Sequence, residues 1–204
     1  VSFVDYLSDP QVVTDLLRRF SGTRMYDVGA NGGKLANLLA PNWKEVHAFE
    51  PAIESYTVLS DNHAANVIPH PYAVSDINGE VTLEESRITA SMGELKTGDS
   101  LPSSWGETTG KRTVRCVTLD TCCAFYGRPE LVKVDTEGHE LAVIRGGLKM
   151  IEAYGPALVI EVHSAANGAA IEELVDYGWR RIDHDGYAPG TYMRDNHYYL
   201  IGAP

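Results

Sequence analysis

The chain has 204 residues, a formal charge of −11 and 44% apolar residues. Those values suit one folded domain over residues 1–204 with a sizeable core, and they exclude a disordered chain. No apolar run nears the roughly 20 residues of a membrane-spanning helix. The acidic surface repels phosphate backbones, so non-specific nucleic-acid binding is not expected. The one basic cluster, Lys111 with Arg112 and Arg115, reads as a solvated strand edge. Cys116, Cys122 and Cys123 form no CxxC pair and no even-numbered framework, so they read as small buried residues. With no basic n-region in residues 1–9, this predicts a cytoplasmic protein.

In chain order, Asp9-Pro10 signals a helix start, and Val12, Val13, Leu16, Leu17 and Phe20 form its apolar stripe. Arg18 and Arg19 fall in its last turn and Gly22 stops it, so residues 1–22 are an N-terminal helix. Strands are expected at 25–28, 46–49 and 67–74, with helices at 34–39 and 53–65 between them. Strands alternating with helices imply βαβ units and a parallel sheet with helices on both faces. Residues 80–119 break that rhythm as a small β insertion, with strands at 80–85 and 112–119. The polar stretch between them, 86–111, is long enough for a lid over an acceptor pocket. The alternation then resumes with a strand at 131–135, a helix at 139–153, a strand at 157–162 and a helix at 169–177. Two last strands, 179–182 and 198–201, lack room for a crossover helix between them and should pair antiparallel. The predicted fold is therefore an α/β, Rossmann-like, doubly wound sheet, mostly parallel, with an antiparallel final pair.

The strongest motif is Asp27-Val28-Gly29-Ala30-Asn31-Gly32-Gly33, between the first strand and its helix. Glycines there allow a sharp turn and close approach of a ligand, and amides at the helix start can hold a carboxylate. The dinucleotide fingerprint needs glycine where Asn31 stands, which argues against a pyrophosphate. Asp27 places a negative charge near the turn, suited to an ammonium group. Glu50, ending the second strand before Pro51, can accept both hydroxyls of a ribose. Together these residues describe a ligand with an amino acid at one end and a nucleoside at the other.

Further motifs follow in order: His47-Ala48-Phe49-Glu50-Pro51, Ala73-Val74-Ser75-Asp76, Gly79-Glu80-Val81 and Val117-Thr118-Leu119-Asp120. Next come Val132-Lys133-Val134-Asp135-Thr136-Glu137-Gly138-His139-Glu140, Ile144-Arg145-Gly146-Gly147 and Ile160-Glu161-Val162-His163. With the glycine turn, this ordered set resembles the FkbM-type methyltransferase family over about residues 25–163. The resemblance implies a class I methyltransferase fold, S-adenosyl-L-methionine as cofactor and, usually, O-methylation. It adds Ala30, Pro51, Ala73, Val74 and Asp135 to Asp27, Gly29, Asn31, Gly33 and Glu50 as cofactor-binding residues. The match fades in 86–111 and after His163, the parts that should shape the acceptor pocket.

Ligands of open α/β sheets lie beyond the carboxyl ends of the strands. Asp135 and Glu137 are expected there from one strand, and Glu161 and His163, on one face of the next, from another. These four are the candidate catalytic residues, with His163 or a carboxylate of raised pKa as the base that activates a hydroxyl. Asp135, Glu161 and His163 also carry metal-ligating atoms, but no spacing in the sequence supports a metal and none is expected. His184, Asp195 and His197 read as surface residues. The acceptor is a small molecule, a sugar or a glycan. Two other readings remain: an NAD(P)-dependent oxidoreductase, against which Asn31 and the lack of a Tyr-x-x-x-Lys pair speak, and a non-catalytic nucleoside-binding module.

Overall fold

The computed structural model describes residues 11–86, 93–96, 108–183 and 198–203. Seven strands form the main sheet: β1 (Gly22–Val28), β2 (Trp43–Phe49), β3 (Val67–His70), β8 (Leu131–Val134), β9 (Ala157–Val162), β10 (Arg180–Asp183) and β11 (Tyr198–Gly202). Their order is β10-β11-β9-β8-β1-β2-β3. Strands β3, β2, β1, β8 and β9 pair parallel, and β11 pairs antiparallel with both β9 and β10, as expected for the final pair. The chain reverses its direction of travel across the sheet between β1 and β8, the position where open α/β sheets bind ligands.

Two apolar cores lie on opposite faces of this sheet. Tyr26, Val28, Phe49, Val132, Val134, Leu158 and Ile160 point to one face. There they meet helices α4 (Leu119–Tyr126), α5 (Glu140–Arg145), α6 (Leu148–Tyr154) and α7 (Ala165–Leu174). Met25, Val46, Ala48, Leu131 and Val159 point to the other, against α1 (Gln11–Leu17), α2 (Lys34–Leu39) and α3 (Ile53–Asp61). Strict alternation along each strand decides these memberships. No helix among the described residues is long and apolar enough to cross a membrane.

A second sheet has the order β4-β7-β5-β6, with β4 (Ala73–Val74), β5 (Gly79–Ser86), β6 (Gly93–Lys96) and β7 (Thr108–Val117). Ala52, Ala73, Val81, Leu83, Val114 and Cys116 form its own core. Its long antiparallel arms β5 and β7 replace the shorter strands expected at 80–85 and 112–119. The lid expected at 86–111 falls largely on residues 87–92 and 97–107, outside the described residues, as do His184, Asp195, His197 and the Asp9-Pro10 helix start.

Several sequence expectations need correction. The strand expected at 67–74 is two strands in different sheets. Pro71 has no N–H to continue a ladder, so the chain leaves the main sheet after His70 and joins β7 at Ala73. Pro69 is tolerated because β3 is the edge strand. The helix expected at 139–153 breaks into α5 and α6 at Gly146-Gly147. A Cβ on Gly146 would sit 2.0 Å from the Ser75 carbonyl oxygen, so close packing rather than helix continuity governs this point. Helix α4 has no counterpart among the expected elements; the expected strand at 112–119 covers its cap, the Thr118 hydroxyl, which accepts from the Thr121 amide. The Ser164 hydroxyl caps α7 in the same way, starting it at Ala165 rather than at 169 and ending it short of 177. Helix α3 stops at Asp61, and α1 ends at Leu17, so Arg18 and Arg19 lie beyond it and Gly22 opens β1.

Beside β2 and β3, His47 Nδ1 and His70 Nε2 lie 2.9 Å apart in a buried contact. His70 stacks on Phe49 at 4.7 Å and against Tyr126 at 4.6 Å. Burial, then the charge His47 would carry, pushes the His70 pKa down to about 4. An imidazole in the unfolded chain keeps a pKa of about 6.5. Between the two values the unfolded chain binds a proton that the native chain refuses, so this contribution is complete above pH 6.5 and is lost as the pH falls towards 4. Urea titrations of wild type and His70→Gln should therefore differ more at pH 7.5 than at pH 5. An unchanged difference would show that the pair does not titrate as a neutral unit.

Candidate functional site

On the face of the sheet that carries Met25 and Val159, the carboxyl ends of the central strands turn polar. Asp27, Lys133 and Glu161 continue the alternation on that face, with Asp27 opposite Lys133 in register and Glu161 opposite Tyr199. Lys133 Nζ lies 3.2 Å from Asp27 Oδ1, 3.4 Å from Asp135 Oδ2 and 3.1 Å from the Gly29 carbonyl oxygen. It donates hydrogen bonds to the Gly29 carbonyl and Asp135 Oδ2, and pairs by charge with Asp27. Burial opposes its charge, but Asp27 and Asp135 outweigh burial and raise its pKa. Burial raises the pKa of Asp27, with Lys133 opposing. Burial, and next the charge of Glu161, raises that of Asp135 well above the usual carboxylate range.

The glycine turn is built as much for the protein as for a ligand. Gly29 has φ +76, and a Cβ there would lie 1.7 Å from the Asp135 carbonyl oxygen. Gly33, at φ +78, has no room against Leu59. The amides of Gly29 and Ala30 both donate to the Phe49 carbonyl, Gly32 to its neighbour Asn31 Oδ1, and Gly33 to the Ala30 carbonyl. These four amides therefore have acceptors within the protein, which leaves a carboxylate to the amides of the helix start that follows. Asn31, left-handed at φ 50, sends its amide to Glu50 Oε2 at 2.8 Å. The Ala52 amide reaches Glu50 Oε1 at 2.8 Å. Burial pushes the Glu50 pKa up to about 7 against those two hydrogen bonds. Each of its oxygens keeps lone pairs for a further donor. Of the other expected cofactor residues, Pro51 is half-buried between Glu50 and Ala52, while Ala73 and Val74 are packed into the two cores beside β7.

Asp135, Glu161 and His163 come together as expected, with ligating atoms all within 4.8 Å of one another. Glu137 joins them: His163 Nε2 lies 3.2 Å from Glu137 Oε2 and 4.0 Å from Asp135 Oδ1. On the far side, His163 Nδ1 lies 2.8 Å from Glu140 Oε1. Burial disfavours a charged ring, yet Glu140 and Glu137 outweigh it and raise the His163 pKa well above 6.5. His163 thus lies between two carboxylates that favour its charged form, and the base role expected for it would have to work against them. Glu161 accepts from the Tyr199 hydroxyl at 2.7 Å. Glu137 is left-handed, at φ 54, an unusual conformation for a residue with a side chain.

Lys133, Glu140 and Tyr199 were missed by the sequence reading. Lys133 stands two residues before Asp135 in a strand, and a lysine inside a run of buried β residues is itself a signal, since such a charge must be paired. Glu140, read as a helix-start residue, is fully buried, and its Oε1 accepts from the Gly138 amide as well as facing His163. Ser75 Oγ and His139 Nε2, 2.9 Å apart, tie the end of β4 to this loop.

The acceptor-rich ends of this site fit a ligand with donors at both ends. Asp135 Oδ1 is buried with no hydrogen-bond partner among the described residues, and Asp27 has only its ion pair. They suit an ammonium group, as Glu50 suits a diol, and they disfavour a pyrophosphate. Lys133→Met should leave Asp27 and Asp135 buried without their cation and cost about 3–5 kcal/mol of stability by urea unfolding. Adding Asp27→Asn should recover part of that loss. If the single variant were as stable as wild type, the lysine would be dispensable to the fold.

Residues 27–182 match the model of the methyltransferase FkbM domain. The chain is 28% identical over 156 residues to the hexuronic acid methyltransferase AglP of Haloferax volcanii, covering 74% of this chain and 60% of that protein. Among solved structures, methyltransferase FkbM from Methylobacillus flagellatus superposes with a TM-score of 0.55 at 17% identity, over 90% of this chain and 44% of that one. SMU.1697c from Streptococcus mutans, solved with S-adenosylhomocysteine, has a TM-score of 0.55 at 12% identity, covering 95% of this chain and 97% of that one. The sheet order and these likenesses make the fold that of a class I methyltransferase, and the chain belongs to the FkbM methyltransferase family.

Proposed function

We propose that the chain transfers a methyl group from S-adenosyl-L-methionine to a hydroxyl oxygen of a sugar, glycan or other small molecule. The observation that carries this reading is Glu50. Its carboxylate ends β2, is fixed by the Asn31 and Ala52 amides, and retains acceptor capacity for two ribose hydroxyls. The cofactor, when bound, supplies a methyl group activated on a sulfonium. Asp27, Asp135 and the turn from Gly29 to Gly33 surround the position for its amino-acid end. The acidic pole of Asp135, Glu137 and Glu161, braced by His163, receives the acceptor oxygen and takes its proton. Sugar acceptors are favoured by the likeness to the hexuronic acid enzyme, so uronic acids and neutral hexoses are the first to assay. A reducing, cytoplasmic setting fits the three free thiols, Cys116, Cys122 and Cys123.

An NAD(P) oxidoreductase is disfavoured by the acidic end of the site, and a non-catalytic module by the polar residues gathered opposite Glu50. Calorimetry should show binding of S-adenosylhomocysteine and not of NAD. Glu50→Ala should weaken that binding by about 1–3 kcal/mol, because buried hydroxyls lose their acceptor. Affinity in the wild type should rise with pH through about 7, as Glu50 ionises and becomes the better acceptor. Tritiated methyl transfer into a panel of uronic acids, hexoses and oligosaccharides then tests turnover. Tight NAD binding, or Glu50→Ala binding S-adenosylhomocysteine as wild type does, would overturn the reading.

A further inference from the structure

The acidic pole gathers more carboxyl groups than cations among the described residues. Among the described residues, Asp27, Asp135, Glu137, Glu140 and Glu161 surround only Lys133 and His163 as cations. The arrangement around His163 has a second property. Glu140, fully buried, faces Nδ1 at 2.8 Å and fixes the ring so that Nε2 faces Asp135 and Glu137. A carboxylate holding one imidazole nitrogen while the other points into a cluster of oxygens is the usual support for a metal-bound histidine.

We propose that Asp135 Oδ1, a Glu161 carboxylate oxygen and His163 Nε2 form a divalent-cation site, of the Mg2+ or Mn2+ kind, that holds the acceptor hydroxyl. The proposal rests on the methyltransferase reading above and adds to it the means by which the acceptor is activated. Each donor is turned towards the site by a neighbour. Lys133 occupies Asp135 Oδ2, which leaves Oδ1 buried with no hydrogen-bond partner among the described residues. Tyr199 donates to Glu161 Oε2 and holds that carboxylate at the pole. The donor atoms lie within 4.8 Å of one another. Ligands facing each other across Mg2+ are about 4.2 Å apart, so a cation needs to draw these in only slightly.

Two carboxylates and one imidazole leave open coordination positions, and this mainly oxygen set suits Mg2+ or Mn2+. The cation takes the place of the Nε2 proton that otherwise pairs His163 with Glu137. A hydroxyl bound there has its pKa lowered and its oxygen fixed, and its proton passes to a neighbouring carboxylate such as Glu137. A cation at this point also lets an acidic pole accept an anionic sugar, whose carboxylate would otherwise be repelled.

The test is titration of Mn2+ alone into the whole chain, read by electron paramagnetic resonance, with and without S-adenosylhomocysteine. One Mn2+ per chain should bind with a dissociation constant below about 1 mM and remain bound when S-adenosylhomocysteine is added. Glu161→Gln and Asp135→Asn should each weaken Mn2+, and Glu140→Gln should do so by about 10–100-fold through His163. If Glu140→Gln fails to fold by circular dichroism, Glu161→Gln decides. No Mn2+ uptake at millimolar concentration, uptake indifferent to all three variants, or displacement of Mn2+ by S-adenosylhomocysteine would overturn the proposal. The last outcome would give the pole to the cofactor's ammonium group instead. Calorimetry with S-adenosylhomocysteine on the same samples separates the two readings: binding without Mn2+ uptake removes the metal and leaves the methyltransferase assignment standing.

Discussion

A lysine ammonium buried in the middle of a parallel sheet sets the terms for the rest of this site. Lys133 can stay charged only because Asp27, Asp135 and the Gly29 carbonyl converge on it. Those three partners come from the end of β1, the loop after β8 and the glycine turn. One cation therefore fixes the relative height of two strand ends and the depth of the turn between them. Gly29 follows from the same constraint, since its missing side chain lets the Asp135 carbonyl approach. The carboxylates that hold Lys133 also carry the acidity of the pole, so folding and electrostatics share the same atoms.

A second fixed point stands one strand away. Glu50 is buried, and two amides hold it, one from the glycine turn and one from the start of α3. The positive φ of Asn31 turns its amide inward to do this. The site thus has a carboxylate anchored by backbone donors at one end and carboxylates anchored by side-chain cations at the other. The first kind of anchoring changes as Glu50, whose pKa burial pushes up to about 7, gains or loses its proton. The second is favoured by the carboxylates that raise the pKa values of Lys133 and His163.

Much of this was legible in the sequence, for identifiable reasons. The strands of the main sheet are short apolar runs bounded by polar turns, so their existence and pairing sense followed from pattern. Asp27, Glu50, Asp135, Glu161 and His163 stood at strand ends, and strand-end polarity in an α/β alternation is a local signal. What escaped was whatever depended on contacts between distant segments. The break at Gly146 is dictated by the Ser75 carbonyl, which no window around Gly146 contains. The surroundings of His163 were hidden because the two carboxylates beside it lie 23 and 26 residues earlier in the chain. Helix α4 was lost for a different reason: Thr118 served as the end of a β-branched run when it is in fact a cap.

The hop from His70 to Ala73 has a consequence for how such a protein can change. In three residues the chain passes from the main sheet to a second sheet, and the described strands between Gly79 and Val117 form their ladders within that second sheet. No strand of the one continues as a strand of the other. Residues can be added to or removed from the β5–β7 arms without shifting the register of β1, β2 or β8, which carry or adjoin the polar site. Length can thereby be gained or lost in one outgrowth while the strand ends that gather Asp27, Lys133 and Asp135 stay out of its reach.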